Sequence, residues 1–184
     1  MFNLSNKKYS VIYADPPWKF KTHSDKGLGK SAQMHYDCMN FKDICLLPVE
    51  DISADDSVLL MWTTDPFLEK SFEVIKSWGF TYKTMGFVWA KTNKKSLGMF
   101  IGTGYWTRAN PEYCLLATRG KPKRIHNDVR TLVIDKLREH SRKPDRIYSD
   151  IERLLDGPYC ELFARNTRSG WDSWGNQTGK FDAS

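Results

Sequence analysis

The sequence predicts a single α/β domain of three layers, in which a largely parallel sheet lies between helices. Apolar runs of strand length alternate along the chain with amphipathic patterns of helical period, and this alternation is typical of parallel βαβ units. A length of 184 residues matches one domain, and a hydrophobic content of 40% supports a folded core. We expect one domain over residues 1–184, with an ordered core at about residues 9–177.

The first half of the chain predicts buried strands and helices that cover them. Residues 57–63 form a nearly continuous apolar run, as expected of a strand buried on both faces. Leu68, Phe72 and Ile75 recur at helical spacing, and Gly79 ends that helix. The other elements expected here are strands at 9–14 and 82–90 and a short helix at 41–47, capped by Asn40.

The second half predicts one more helix and three more strands. An amphipathic pattern over residues 145–155 opens after Pro144, a residue type favoured in the first helical turn. Loops as long as those between the predicted elements are usually functional in a compact domain. The expected strands are 113–117, 131–134 and 159–164, and the long loops are 15–40 and 92–110.

Asp15, Pro16, Pro17 and Trp18 directly follow the first strand and are the strongest candidates for a reactive site. Prolines fix φ at about −65° and lack a backbone donor, so their carbonyl groups are left to accept hydrogen bonds. The Asp15 carboxylate is another acceptor, and Trp18 has a flat face on which a base can stack. The four residues predict a site that grips a planar amino group for methylation. An ordinary turn is the alternative, because Asp and Pro are common in turns.

Charge and composition favour a polyanionic partner. The net charge is +6 and 14% of the residues are aromatic; phosphates pair with Lys and Arg, and bases stack on aromatic rings. The four cysteines have no C-x-x-C spacing and the histidines do not cluster, so we expect no metal site. The sequence has no apolar leader and no long apolar run, so we expect a cytoplasmic protein that contacts no membrane.

Six short motifs follow one another between about Tyr9 and Gln177. They are Ala14-Asp-Pro-Pro-Trp18, Trp89-Ala-Lys-Thr-Asn93, Lys143-Pro-Asp-Arg-Ile-Tyr148, Ile151-Glu-Arg-Leu154, Glu161-Leu-Phe-Ala-Arg165 and Gly175-Asn-Gln177. In these motifs the chain resembles the adenine-N6 methyltransferase family typified by the seventy-kilodalton subunit of the mRNA adenosine methyltransferase. The resemblance implies an S-adenosylmethionine-dependent enzyme with a Rossmann-like sheet and a permuted motif order. Its compact form resembles members carried by bacteria and phages.

The resemblance also implies roles for individual residues on the cofactor side. Glu161 would hold the ribose hydroxyls, Arg165 and Lys143 would pair with the methionine carboxylate, and Leu162 and Phe163 would wall the purine. Asn176 and Gln177 would contact the adenine and ribose edges. The full set expected around S-adenosylmethionine is Ala14, Lys143, Glu161, Leu162, Phe163, Arg165, Thr167, Arg168, Asn176 and Gln177.

On the substrate side the resemblance implies a mobile lid and a charged rim. Tyr36 would be the aromatic lid over the target base, and Ser141 together with Lys143 would form a second gate. Lys91 and Arg108 are plausible phosphate contacts. The full set expected around the substrate is Tyr36, Trp89, Lys91, Arg108, Glu112 and Ser141, beside the catalytic Asp15, Pro16, Pro17 and Trp18.

Several alternatives stay open at this point. The chain could be a catalytically silent nucleic-acid-binding subunit, or it could methylate an amide nitrogen in a protein. The compact architecture favours DNA over RNA as the polymer. A monomer or a homodimer is expected, and a partner subunit is not excluded.

Overall fold

The computed structural model describes residues 7–19, 38–139 and 141–182, which include a seven-stranded sheet. The strands are β1 (Tyr9–Ala14), β2 (Ser53–Thr63), β3 (Thr81–Thr92), β4 (Pro111–Arg119), β5 (Leu132–Lys136), β6 (Tyr159–Leu162) and β7 (Trp171–Trp174). The α-helices are α1 (Phe41–Cys45), α2 (Leu68–Ser77) and α3 (Arg146–Leu154), and 3₁₀ turns cover Val49–Ile52 and Asp65–Phe67.

The sheet is mostly parallel and has its switch point at β1. The strand order is β5-β3-β4-β2-β1-β6-β7, and β4 runs antiparallel to both of its neighbours. All other neighbouring strands are parallel. The chain leaves β1 for β2 on one side and later returns to β6 on the other side. Ligands of open α/β sheets bind at the carboxyl ends of the strands at such a point.

Two apolar cores, one on each face of the sheet, confirm the predicted three layers. Ile12 and Met61 face the core that α1 and α2 cover, whereas Val11 and Trp62 face the core that α3 covers. Side chains of a strand alternate between faces, so β1 and β2 bury both faces. This double burial accounts for their nearly continuous apolar sequences.

The topology brings most loops of the site to one edge of the sheet. Every strand except β4 ends at this edge, and β4 begins there because it is antiparallel. Asp15 therefore lies at the same edge as Glu112, the second residue of β4. The segments that follow β3, β5 and β6 also leave from it.

The predicted elements are present, with bounds that differ at their ends for identifiable reasons. Helix α2 ends at Ser77 and is followed by Gly79, whose φ is 81°. Strand β6 ends at Leu162 because Phe163 has a φ of 62°. Asn40 precedes the short α1, but its side chain donates to the Asp43 carboxylate and makes no capping bond to the backbone.

Two features of the sheet were not predicted. Strand β7 was missed because it is four residues long and its two central residues, Asp172 and Ser173, are polar. The antiparallel direction of β4 was also missed. A loop without a helix joins β4 to β3, and such a connection is typical of antiparallel strands. Among the described residues no helix is long and apolar enough to cross a membrane.

Candidate active site

Asp15 follows the carboxyl end of β1 and forms two ion pairs. Its Oδ2 lies 2.7 Å from Lys143 Nζ and 2.8 Å from Arg165 Nη2. None of the three side chains is more than 18% exposed, so solvent screens these pairs weakly. Within the described part of the chain both cations contact Oδ2, which leaves Oδ1 to accept from another donor.

The carbonyl groups of Pro16 and Pro17 lie beside Asp15, but the chain itself already uses both. The Pro16 oxygen accepts from the Trp18 amide at 2.9 Å, and the Pro17 oxygen accepts from the Met39 amide at 3.0 Å. The expectation that these carbonyls are free is therefore wrong. A carbonyl oxygen has two lone pairs, so the Pro16 oxygen keeps the capacity for one more hydrogen bond.

Glu112 extends the charge network toward β3. Its Oε2 lies 3.2 Å from Lys143 Nζ, and its Oε1 lies 2.6 Å from Lys91 Nζ. Burial acts to raise the pKa of Glu112, but the charges of Lys143 and Lys91 outweigh it and lower this pKa to about 2. For Lys143, burial is likewise outweighed by Asp15 and Glu112, and its pKa is raised. Positive and negative charges therefore alternate from Lys91 to Arg165.

An open cleft adjoins Asp15 at the carboxyl ends of β1 and β6. The cleft combines cations, carboxyl groups and aromatic rings, which suits a polar ligand that also has a flat ring. Its lining residues are Tyr13, Asp15, Arg142, Lys143, Asp145, Tyr148, Glu161, Phe163, Arg165, Asn166 and Phe181.

Glu161 is the buried carboxyl group of this cleft and is only 7% exposed. Its Oε2 accepts a hydrogen bond from the Tyr148 hydroxyl at 2.8 Å. Burial raises the pKa of Glu161 to about 7, against the opposing effects of this hydrogen bond and of Arg165 and Lys143. Burial also raises the pKa of Tyr148, which keeps its hydroxyl a donor. Glu161 therefore changes its charge near neutral pH.

Two residues of the site have left-handed backbone conformations, which residues other than glycine rarely adopt. Phe163 has a φ of 62° and Ser141 a φ of 63°. The Phe163 ring lines the cleft and meets the Trp174 ring edge to face at a centroid distance of 5.4 Å. The Ser141 carbonyl accepts from Arg165 Nη2 at 2.7 Å. Such strain, about 1–3 kcal/mol per residue, persists where neighbouring groups hold the backbone.

Three residues of the expected site pack into the core instead of facing the cleft. Trp18 is 4% exposed, and its ring stacks on Phe67 at a centroid distance of 5.2 Å. The expectation of an open stacking face at Trp18 is therefore wrong for this structure. Leu162 and Ala14 are fully buried in the same core, so Leu162 does not wall the cleft, whereas Phe163 lines it.

The expected substrate rim is divided between internal and exposed positions. Trp89 is 1% exposed and belongs to the second core, so the expectation that it forms a rim is wrong. Lys91 is 14% exposed and paired with Glu112, which makes it an internal cation rather than an open phosphate contact. Arg108 is exposed on the segment that joins β3 to β4. Tyr36 lies outside the described residues.

Two of the polar residues expected near the cofactor, Thr167 and Arg168, bond to other parts of the chain. Thr167 bonds Asp182 through both its amide and its hydroxyl, each at 2.7 Å. Arg168 forms two bonds to the Glu152 carboxylate, at 2.9 and 3.0 Å. Four of the expected polar residues do not line the cleft: Thr167, Arg168, Asn176 and Gln177.

Six lining residues were not expected from the sequence: Tyr13, Arg142, Asp145, Tyr148, Asn166 and Phe181. Two guanidinium groups lie over the Phe181 ring, that of Arg142 at 5.2 Å and that of Arg165 at 5.7 Å. The Tyr148 ring packs in the core that α3 covers, whereas its hydroxyl donates to Glu161 in the cleft. No periodic pattern marks Phe181, so no sequence signal could have found it.

The fold and the site together define a protein of the Rossmann-like α/β class, because the cleft meets Asp15 at the switch point where sheets of this kind bind their ligands. Comparison with known proteins narrows the class. The MT-A70 family model matches residues 9–177, and the chain belongs to the MT-A70 family. The family identified from the six motifs is thereby confirmed.

Individual relatives agree with this assignment. The chain is 38% identical over 191 residues to the Type II methyltransferase M.MunI of a Mycoplasma species, and the match covers 94% of this chain and 78% of that protein. It is 31% identical over 175 residues to the N(6)-adenosine-methyltransferase catalytic subunit METTL3 of Homo sapiens, where it covers 92% of this chain and 28% of that protein. It is also 31% identical over 173 residues to the N(6)-adenosine-methyltransferase MT-A70-like of Arabidopsis thaliana, with coverages of 92% and 24%. The chain thus spans about a quarter of the length of these two plant and animal relatives.

Proposed function

We propose that the protein is an S-adenosylmethionine-dependent methyltransferase that methylates the N6 amino group of adenine in nucleic acid, with DNA preferred over RNA. The observation that carries the proposal is the Asp15 carboxylate, which two cations hold beside an open cleft. The names of the relatives, which are methyltransferases and in part N(6)-adenosine methyltransferases, support the reaction.

The side chains of the cleft suit S-adenosylmethionine in their chemistry. Lys143 and Arg165 would hold the amino-acid carboxylate, Glu161 would accept from the ribose hydroxyls, and Phe163 would contact the purine. Glu161 supports this fit most directly, because a nearly buried carboxyl group gains stability when a ligand donates hydrogen bonds to it. When bound, the donor supplies an electrophilic methyl group.

Asp15 would act on the amino group of the target adenine. The nitrogen lone pair of that group is delocalised into the ring, which makes the nitrogen a poor nucleophile. Hydrogen bonds from its two N–H groups to Asp15 Oδ1 and to the Pro16 carbonyl would draw the nitrogen toward tetrahedral geometry. Positive charge develops on the nitrogen as its bond to the methyl carbon forms and the carbon–sulfur bond breaks. Both hydrogen bonds then strengthen, which is the condition for catalysis.

Lys143 and Arg165 would connect the binding of the methyl donor to the action of Asp15 on the amino group. Both cations contact Asp15 Oδ2 at less than 3 Å. A donor carboxylate would compete for the same cations and would weaken their hold on Asp15. The Asp15 carboxylate would then be a better acceptor for the amino group and for the proton that the methylated nitrogen releases.

The preference for DNA over RNA rests on how much of each relative's own length the match covers. The relative matched over 78% of its own length is named a Type II methyltransferase, whereas the relatives named for adenosine are matched over about a quarter of theirs. A duplex target has to be flipped out of its stack, which costs a few kcal/mol, and a single strand avoids this cost.

The test is methyl transfer from labelled S-adenosylmethionine to unmethylated DNA and to RNA in parallel. The products are digested to nucleosides and identified by mass, with Asp15→Asn as the inactive control. We expect N6-methyldeoxyadenosine. N6-methyladenosine from RNA alone would overturn the choice of polymer but not the reaction.

Two further outcomes would overturn the reaction. Cofactor binding without transfer to either polymer, followed by transfer to a protein amide, would make the chain a protein methyltransferase. Nucleic-acid binding with no cofactor binding would make it a silent subunit.

A further inference from the structure

The segment that joins β3 to β4, residues 93–110, exposes two adjacent aromatic rings. We call it the β3–β4 loop. Tyr105 is 88% exposed and Trp106 is 94% exposed. The two rings meet edge to face at a centroid distance of 6.3 Å. Burial of such large rings is normally favourable, so their joint exposure indicates a surface that a partner covers.

The backbone holds these rings outward. Trp106 has a φ of 67°, a left-handed conformation that is unfavourable for a bulky residue. The Thr107 amide donates to the Tyr105 carbonyl at 2.8 Å and so closes a tight turn around Trp106. A side chain at Gly104 would not fit, because its Cβ would lie 2.2 Å from the Thr107 oxygen. The rings are therefore presented by a built turn.

The base of the β3–β4 loop is fixed at the edge where the site lies. The Asn110 side chain bonds the amide of Lys91 at 3.2 Å, the carbonyl of Lys91 at 2.9 Å and the carbonyl of Phe100 at 2.5 Å. Two residues later Glu112 is paired with Lys143, which itself contacts Asp15. One short chain of contacts thus connects the loop to the catalytic carboxylate.

The loop is also positively charged. Its charged residues are Lys94, Lys95 and Arg108, all exposed, and the sequence from 93 to 110 contains no Asp or Glu. Cations that neutralise phosphates give an affinity for nucleic acid that depends on salt. Exposed rings beside such cations are the combination that binds single-stranded nucleic acid, because every base has a face that can stack.

We propose that Tyr105 and Trp106 are a stacking platform for bases that neighbour the target adenine, and that Lys94, Lys95 and Arg108 contact the phosphates of the same strand. The inference rests on the proposed function and names the surface that holds the polymer. A base removed from a duplex leaves its neighbours without a stacking partner, and the platform supplies a new one. The same loop exposes Leu97 and Ile101, a feature that would suit a protein partner, so the test separates the two.

The experiment measures binding of a labelled single-stranded DNA of about 12 nucleotides, a length within the usual range of such sites, by fluorescence anisotropy. The variants are Tyr105→Ala, Trp106→Asn and the double variant, since Asn tolerates the left-handed backbone and lacks a ring. We expect the double variant to raise Kd about ten- to hundredfold. Trp106→Phe, which keeps a ring, should retain most of the affinity.

Matched controls lie elsewhere on the molecule. Phe72 and Tyr82 form another edge-to-face pair with partly exposed rings, and Phe72→Ala should leave Kd unchanged. Replacing Lys94 and Lys95 by Ala should reduce the slope of log Kd against log salt by about 1.4, or about 0.7 for each phosphate contact. The same change at the exposed pair Lys76 and Lys83 should not.

Each result decides between the proposals. An unchanged Kd in the double variant, with methyl transfer by the wild type intact, would overturn the platform and leave the proposed function standing. A wild type that neither binds nor methylates DNA or RNA would overturn both. A change of oligomeric mass in sedimentation, with Kd for each protomer unchanged, would make the loop a contact between protein chains and overturn the inference.

Discussion

The cleft at β1 and β6 and the β3–β4 loop lie at the same edge of the sheet. They differ in whether oppositely charged side chains compensate their charges. At the cleft, Asp15 has two cationic partners, and the neighbouring Glu112 shares one of them, Lys143, and pairs with Lys91 as well. In the loop, three exposed cations stand on a segment without any carboxylate. Aromatic rings follow the same division: Trp18 and Trp89 are buried, while Tyr105 and Trp106 are exposed.

This difference in charge compensation matches two different functions, stabilisation of a transition state and recognition of a polymer. A group that stabilises a transition state has to be oriented before the reaction, and internal ion pairs orient Asp15. A surface that recognises a polymer needs no such orientation, and its charges are compensated when the polymer binds. Substitutions in the cleft should therefore change the rate or the cofactor affinity, whereas substitutions in the loop should change the polymer affinity.

The largest effect is expected for Asp15→Ala, which removes the acceptor of the amino group. We expect kcat to fall by about 10³-fold, which is the upper end of the range for the loss of one preorganised polar group. Affinity for the cofactor should not fall, because Lys143 and Arg165 remain and Asp15 no longer competes for them. Transfer kinetics and calorimetry with S-adenosylhomocysteine check both expectations.

The control for this variant is Asp128→Ala, which breaks an exposed ion pair with Arg153, and neither residue lines the cleft. It should leave kcat unchanged. An active Asp15→Ala variant would remove Asp15 from the mechanism and with it the division between the two regions.

The next effect is a pH dependence of stability that the loop, lacking carboxyl groups, cannot produce. The pKa of Glu161 is raised to about 7 in the folded protein, so its favourable contribution is complete below about pH 4.5 and is lost as the pH rises through 7. The free energy of unfolding of the wild type should therefore fall by about 3 kcal/mol relative to Glu161→Gln between pH 5 and 8. Urea unfolding at several pH values measures it.

Glu112 supplies a comparison of opposite sign. Its pKa is lowered to about 2, so its contribution is present above about pH 4.5 and is lost as the pH falls toward 2. The difference in stability between the wild type and Glu112→Gln should stay constant above about pH 4.5 and should change only in that acidic range, where the wild type loses the contribution of Glu112. A flat difference between the wild type and Glu161→Gln from pH 5 to 8 would contradict the burial effect at Glu161.

A third, smaller effect concerns the cofactor. Glu161→Gln removes a charged acceptor for hydroxyl groups, and hydrogen bonds to charged groups contribute about 1.5–3 kcal/mol. We expect affinity for S-adenosylhomocysteine to fall about ten- to hundredfold at pH 8, where Glu161 is ionised. The Kd for the single-stranded DNA should not change, and a parallel loss of both affinities would show that the two regions are not separate.

The smallest effect is expected for Gly104→Ala, because the new methyl group disturbs only the turn that presents Trp106. Its Cβ would lie 2.2 Å from the Thr107 oxygen, so the turn has to open. We expect about a tenfold weaker Kd for the single-stranded DNA, a part of the roughly 1–3 kcal/mol of one lost stacking contact. Cofactor affinity and the thermal midpoint serve as controls, and Ser96→Ala is the matched substitution in the same loop.

The sequence by itself determined the fold class and singled out Asp15 as the candidate catalytic residue. Continuous apolar runs at β1 and β2 indicate burial on both faces. The spacing of Leu68, Phe72 and Ile75 indicates that they share one face of α2. Both patterns follow from the local geometry of strands and helices. Asp15 was found for the same reason, since it directly follows a recognisable strand.

Only the tertiary structure decided which of the expected residues meet. Trp18 and Trp89 carry the same ring as Trp106, yet the first two fill cores and the third is exposed. Composition cannot distinguish them, because burial depends on which strand face lies beneath which helix. The Glu161–Tyr148 bond and the packing of Phe181 against Arg142 likewise join segments through space. Such contacts depend on the packing of the whole sheet, which no local sequence pattern records.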